Sequence, residues 1–143
     1  MNTLGGKTQR TIKKEESYSI NEGFVCTEKA SAGTMVKLNS DGTVSPVASV
    51  DDVPFGTLSC GCNAANGDVT VHTQFVSVVR GKADGAVAIG DDLAVSGSVT
   101  EDGNVLSKYK KAVAGNTMVA VALSGGANTT DVWVGVKRVF VTK

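Results

Sequence analysis

The sequence predicts an all-β fold, a compact β-barrel or β-sandwich built of hairpins, on three observations. Apolar residues make up 41% of the 143-residue chain, and they are biased toward Val, whose branched Cβ suits the pleated surface of a strand. Seventeen glycines against two prolines indicate many tight turns rather than stiff linkers. A short turn motif also recurs between the apolar runs.

The turn motif is Asp or Asn, then Gly, any residue and Val, at 41–44, 66–69, 84–87 and 102–105. Asp-Gly and Asn-Gly accept positive φ at both central positions of a type I′ turn, whose twist matches the flanking strands. We therefore predict a hairpin at each place. The spacing of the four motifs is too uneven for a solenoid of equal repeats.

The runs between the turns predict strands. They lie at 35–38, 44–47, 56–62, 69–79, 87–89, 93–95, 117–123 and 132–141. In the last run Val132, Val134 and Val136 share one face, whereas Trp133, Val139 and Val141 share the other. Because both faces are apolar, we expect this strand to be covered on both sides.

Residues 106–115 allow a short helix, with a strand or loop as the alternative. Leu106, Tyr109 and Val113 fall on one helical face, Ser107 could cap its start, and Gly115 follows its end. At most one short helix is therefore expected in the chain.

The first 22 residues predict an extended N-terminal arm, followed by a single β domain at 23–143. The arm is too polar and charged to order by itself, so it is either a tail without a role or a segment that binds a partner. Its candidate partner-binding residues are Arg10, Ile12, Lys13, Lys14 and Tyr18. The arm has no apolar stretch, so we expect neither a signal peptide nor a membrane anchor.

No residue pattern predicts catalysis, a cofactor or a metal. Cys60 and Cys62 would share one face of a strand, and Cys26 and His72 could complete a zinc site, but the one-residue spacing does not match a zinc knuckle. Small apolar core residues are the expected role of these thiols, and three cysteines in an unexported chain predict no disulfide framework.

The remaining polar candidates also fit ordinary structural roles. The lone His72 lies in an alternating strand run without a nucleophile motif, and the pairs at 51–52 and 91–92 place neighbouring carboxylates on opposite strand faces. The Gly-rich run at 125–128 lacks the Lys-Ser/Thr of a phosphate loop. Net charge is zero, which predicts no direct nucleic-acid partner, and no enzyme is expected.

Trp133 is the most informative single side chain. A core anchor is the favoured interpretation, because a buried Trp covers a large apolar area. An interface anchor is the alternative, since Trp is enriched in binding hot spots. Phe140, beside Lys137 and Arg138, is a further candidate for partner contact.

The order of several short motifs resembles the small capsid decoration (cement) proteins of tailed bacteriophages. The motifs lie at 32–38, 41–44, 53–58, 67–71, 87–93 and 119–123. The resemblance covers about residues 23–140 and leaves the arm outside.

The resemblance implies a compact β-barrel or sandwich, often a homotrimer, without enzymatic activity. Such a protein is assembled in the host bacterial cytoplasm and docks on the outer capsid surface of the virion, where it stabilises contacts between major capsid protein subunits. Two other possibilities remain open: another virion component, such as a head-fibre base or tail protein, and a small ligand-binding β-barrel.

Overall fold

The computed structural model describes residues 23–73 and 77–143. The predicted arm at 1–22 lies outside these residues, so it and the boundary of the following domain stay predictions. The described residues form ten strands and no helix, which confirms the all-β prediction. The strands are β1 (Gly23–Cys26), β2 (Met35–Leu38), β3 (Val44–Pro46), β4 (Gly56–Leu58), β5 (Gly67–His72), β6 (Ser77–Ala83), β7 (Asp92–Glu101), β8 (Asn104–Lys111), β9 (Thr117–Ala122) and β10 (Asp131–Thr142).

The strands close into two five-stranded barrels that share one topology. The first barrel has the order β1-β3-β2-β4-β5 and the second has β6-β8-β7-β9-β10. In each barrel the first strand runs parallel to the third and antiparallel to the fifth. The second strand is antiparallel to the third and fourth, and the fourth to the fifth. The second barrel therefore repeats the first, strand for strand.

The loop hydrogen bonds repeat as well. The carbonyl of Cys26 accepts from Asn66 N at 2.8 Å, and the carbonyl of Ala83 accepts from Thr129 N at 2.9 Å. Asn66 and Thr129 both have positive φ, at 64° and 69°. Four more hydrogen bonds of the first barrel have an equivalent in the second. In the first barrel they are Gly33 N to Leu58 O, Thr27 N to Val44 O, Val47 N to Met35 O and Ser59 N to Thr70 O. In the same order, the equivalent bonds of the second barrel are Gly90 N to Ala122 O, Asp84 N to Tyr109 O, Ala112 N to Asp92 O and Leu123 N to Trp133 O. These bonds define equivalent positions in the two barrels.

Each barrel encloses its own apolar core, and the two cores exchange residues. Met35 and Val47 belong to the first barrel but are buried in the core of the second. Val105 belongs to the second barrel and is buried in the core of the first. The barrels are thus joined through a common apolar interior.

The junction between the barrels lies at Ala30. This residue forms an antiparallel bridge with Cys62 of its own barrel and a parallel bridge with Val105 of the other. Ser31 N donates to the Val105 carbonyl at 2.9 Å, and Val105 N donates to the Lys29 carbonyl at 3.0 Å. A closed barrel has no free sheet edge to which strands of another barrel could be added. The two barrels are therefore linked by hydrogen bonds of this short segment.

The two barrels place an aromatic side chain on different strands at one pair of equivalent positions. In the second barrel the Tyr109 ring lies over Gly81, where an added Cβ would overlap ring atoms. The equivalent residues of the first barrel are Val44 and Phe24, as the pairings of Ala83 and Cys26 with their neighbours show. The aromatic group therefore comes from the third strand in one barrel and from the first strand in the other.

Two of the four turn motifs form the tight hairpins that the sequence predicted. Those at 41–42 and 102–103 join β2 to β3 and β7 to β8. Of these, Asp102 and Gly103 have positive φ at both positions, 52° and 81°, as a type I′ turn requires. At 41–42 only Gly42 has positive φ, 88°, so the hairpin is confirmed there but the type I′ turn is not.

The other two motifs do not form tight hairpins. The motif at 84–85 was wrongly predicted, because β6 and β7 do not pair, and the motif at 66–67 ends the longer loop between β4 and β5. The run at 87–89 is likewise no strand but carries the Val87–Gly126 bridge, and the run at 69–79 belongs to two strands, β5 and β6.

The short helix considered at 106–115 does not form. The Asp102-Gly103 turn folds this segment back onto β7, so residues 104–111 become β8. Tyr109 points into the core while Lys108 and Lys110 are partly exposed, which is the alternation of a strand.

We predict that Gly33→Ala destabilises the protein more than Gly90→Ala, although both glycines have the same place in their barrels. Both have positive φ, 86° and 90°, so either alanine costs about 1 kcal/mol of backbone strain. At Gly33 the new Cβ would also lie 2.9 Å from Val79 Cβ at the junction, whereas nothing lies within 4 Å at Gly90. Overpacking adds about 1–3 kcal/mol. Equal losses of unfolding free energy in urea would contradict this view of the junction.

We also predict that Tyr109 does not ionise before the protein unfolds in alkali. Burial raises the pKa of Tyr109 far above its ordinary value, so the neutral phenol stabilises the fold below pH of about 10, and this contribution is lost as the pH rises above it. Tyr18→Phe leaves Tyr109 as the single tyrosine. As the pH is raised, absorbance at 295 nm should increase only when the far-UV circular dichroism signal is lost. As a control, absorbance of the chain unfolded in 6 M guanidinium should increase near pH of about 10. Ionisation near that pH in the folded chain would refute the prediction.

Candidate interaction face

The residues considered for a zinc site do not assemble into one. Cys60 is exposed and Cys62 is buried, so the expectation that both point to one strand face is wrong. The reason is that β4 ends at Leu58 and the chain turns before Cys62 bridges Ala30. Within the residues that the structure describes, no group of three or more His, Cys, Asp or Glu is arranged to hold a metal ion.

The loop carboxylates form hydrogen bonds that shape turns. Asp52 Oδ2 accepts from Ala48 N at 2.8 Å and from Ser49 N at 3.1 Å. Asp91 Oδ2 accepts from Ala88 N at 2.9 Å. These contacts match the turn-forming role of Asp.

Trp133 is on the surface, so the favoured prediction of a core anchor is wrong. On β10 the inward positions Val132, Val134 and Val136 are buried, as predicted. Trp133 alternates with them and points outward, with 50% of its area exposed. The outer side of β10 therefore carries exposed apolar residues that the described part of the chain does not cover.

Neighbouring strands extend this apolar surface. Leu123 N donates to the Trp133 carbonyl at 2.8 Å, which places Leu123 beside the tryptophan. Gly135 pairs with Val78 on β6 and with Val121 on β9. Val78 is 61% exposed and Leu123 is 47% exposed. We call Val78, Leu123, Trp133 and Gly135 the outer face.

Gly135 allows Leu123 to pack flat on β10 within the outer face. An added Cβ there would lie 3.5 Å from Leu123 Cδ1 and 3.7 Å from Leu123 Cγ and Cδ2, so the leucine side chain lies against the glycine. Trp133 and Val78 stand next to it on β10 and on the adjacent strand. The outer face therefore presents three apolar side chains side by side.

The first barrel has a polar surface where the second has the outer face. The backbone bonds make Thr70 equivalent to Trp133 and Ser59 equivalent to Leu123. His72, two residues after Thr70, corresponds to Gly135. The same sheet position thus carries Thr, Ser and His in one barrel and Trp, Leu and Gly in the other.

An ion-pair network borders the outer face. Arg80, the cross-strand neighbour of Trp133, contacts Glu101 at 2.8 Å and Asp131 at 2.9 Å. Lys82 contacts Glu101 at 2.8 Å and Asp131 at 2.6 Å. Hydrogen bonds from Lys82, then from Arg80, hold the pKa of Glu101 below its usual range, and those from Lys82 do the same for Asp131.

The remaining sequence candidates fall into two groups. Phe140 is half-buried and packs against the core of the second barrel, whereas Val139 and Val141 around it are exposed. The arm candidates Arg10, Ile12, Lys13, Lys14 and Tyr18 lie outside the described residues. The outer face itself was missed from sequence because Val78 and Leu123 come from separate strands.

No family model matches the chain, and no curated protein matches it either. Among the described residues, no helix is long and apolar enough to cross a membrane.

We predict that the ion-pair network makes stability fall in acid. Glu101 and Asp131 have lowered pKa values, so their contribution is present above the ordinary carboxyl pKa of about 4 and is lost as the pH falls below it. The double variant Glu101→Gln with Asp131→Asn should show a smaller drop in its urea midpoint between pH 7 and pH 3 than the unaltered chain. Because the network is partly exposed, the effect should shrink in high salt. An identical drop in both proteins would contradict it.

Proposed function

We propose that this chain is a structural virion protein, a decoration or auxiliary capsid protein that binds the outer surface of a phage capsid. Its partner is the major capsid protein, and its effect is to stabilise contacts between capsid subunits. The observation that carries the proposal is the outer face, where an exposed Trp133 lies beside the exposed Val78 and Leu123. The order of motifs that resembles decoration proteins supports it.

The chemistry of the outer face suits a protein partner. Interface hot spots are enriched in Trp and Arg, and they sit in apolar patches rimmed by polar groups. Trp133 and its neighbour Arg80 provide both residue types, and the ion pairs of Glu101 and Asp131 provide the rim. Balanced charge at the rim favours a surface that is itself mixed in charge.

The proposal includes a homo-oligomer, a trimer in the family that the chain resembles, located on the capsid surface after assembly in the bacterial cytoplasm. Several weak contacts to one lattice would raise the overall affinity by orders of magnitude. No step of catalysis and no direct contact with nucleic acid or membrane is part of the proposed role.

The test of the outer face is binding to capsids that lack this protein. Trp133→Thr installs the residue that the first barrel uses at the same place, so we expect the fold to be kept. Binding should weaken by about tenfold or more, because a hot-spot residue is lost. Co-sedimentation of the variant with purified capsids measures this.

The matched control is Val53→Thr, since Val53 is 80% exposed and lies on the loop before β4 of the other barrel. The Val53→Thr variant should bind capsids as well as the unaltered chain. Both variants should have the melting temperature of the unaltered chain. Equal binding by all three proteins would refute the role of Trp133. If mass spectrometry of purified virions does not detect the chain, the proposed function is refuted altogether.

The proposal also predicts a contribution of the arm. Deleting residues 1–20 should weaken capsid binding, because the charged residues Arg10, Lys13 and Lys14 and the larger Ile12 and Tyr18 are removed with it. The same sedimentation assay applies, with the melting temperature as the control for folding. Unchanged affinity would show that the arm takes no part in docking.

A further inference from the structure

Cys26 and Cys62 are brought together by the fold although 35 residues separate them in the sequence. Both are buried, at 0% and 1% exposure, in the core of the first barrel. Both are free thiols in the structure, and so is the exposed Cys60. The sequence predicted small apolar core residues here, with a zinc site as the alternative.

The geometry brings the Cys62 sulfur against the residue that faces Cys26 in the sheet. Cys26 pairs with Gly67 in the antiparallel β1–β5 ladder. Gly67 has no side chain, and Cys62 Sγ lies 3.0 Å from the point where a Cβ of Gly67 would stand. The sulfur of Cys62 thus occupies the side-chain space of the residue that directly faces Cys26.

The electrostatics agree with this proximity. Burial is the main cause that raises the pKa of the Cys26 thiol, and the neighbouring Cys62 thiol raises it further through a hydrogen bond and its charge. Cys62 also donates to the Ala64 carbonyl at 2.9 Å, which fixes the orientation of its side chain.

The second barrel shows that the fold does not need these thiols. The equivalent of Cys26 is Ala83, and the equivalent of Cys62, which bridges Ala30, is Gly126, which bridges Val87. The second barrel closes with the same bonds around an alanine and a glycine. Barrel closure therefore does not require cysteines at these two positions.

We propose that Cys26 and Cys62 are a latent disulfide site, reduced in a cytoplasm and oxidised when the protein meets a disulfide oxidant outside it. With oxidised glutathione as the oxidant, a Cys thiolate attacks one glutathione sulfur and releases the first reduced glutathione. The second Cys then attacks the mixed disulfide and releases the second. The two protons of the protein thiols pass to the two released glutathione molecules, so one protein disulfide forms and one glutathione disulfide becomes two thiols.

The bond would link β1 to the loop between β4 and β5. β1 is the strand that directly follows residues 1–22, so the link would hold the start of the first barrel against its own closing loop. This inference does not depend on the proposed capsid role, because it rests on the first barrel alone.

The test uses the full chain with Cys60→Ser, which leaves the pair and removes the exposed thiol. The chain is incubated with oxidised glutathione, in buffer and in urea below the unfolding midpoint, so that local opening can expose the buried thiols. We expect both thiols to resist alkylation afterwards under denaturing conditions, and peptide mapping to show a Cys26–Cys62 link. Closing this loop should raise the melting temperature by about 5–10 °C, and dithiothreitol should reverse the rise.

The control is the same chain with Cys26→Ala in addition, the residue of the second barrel at this place. It should form no intramolecular link and show no reversible rise. Two alkylatable thiols in the oxidised Cys60→Ser chain would overturn the proposal. So would a disulfide that forms but lowers the melting temperature, because that bond would be incompatible with the native positions.

Discussion

The structure depends on one short junction, where the segment around Ala30 pairs with two barrels at once. Two closed barrels have no sheet edges with which to join, so a link must come from residues between strands. Ala30 supplies it by bridging Cys62 on one side and Val105 on the other. Met35 N adds a bond to Ser107 Oγ at 2.8 Å, and Met35 is buried in the core of the second barrel. Closure of each barrel and attachment of its neighbour are thus determined by the same few residues.

The second barrel does not repeat the junction at its equivalent position. In the first barrel Ser31 N donates to the Val105 carbonyl of the second barrel. The equivalent amide of the second barrel, Ala88 N, donates instead to Asp91 Oδ2, at the place of Thr34. In the second barrel a side chain therefore satisfies the donor that the first barrel uses to join its neighbour.

The sequence predicts the all-β class and most of the strands, but not β8 or the arrangement in two barrels, for physical reasons. Alternating valines give the strand at 132–141, and Asp102-Gly103 gives a true type I′ turn, because both signals are local. The repeat escapes notice because equivalent positions share backbone geometry while their residues often differ. Gly81 corresponds to Phe24, and Tyr109 corresponds to Val44. The candidate helix at 106–115 arose from a helical spacing that pairing with β7 overrides. The surface position of Trp133 needed the pairing register, which no local pattern contains.

The repeat also separates what the fold requires from what it does not. Inward positions of both barrels remain apolar, with Val69 and Val71 matched by Val132 and Val134, because burial in a small barrel demands it. The outward position between them is Thr70 in one barrel and Trp133 in the other, and both barrels close with the same backbone bonds. Barrel closure therefore gives no reason for a half-exposed tryptophan. Since exposed apolar clusters with a polar rim mark interaction surfaces, the outer face supports the proposal that a protein partner binds there.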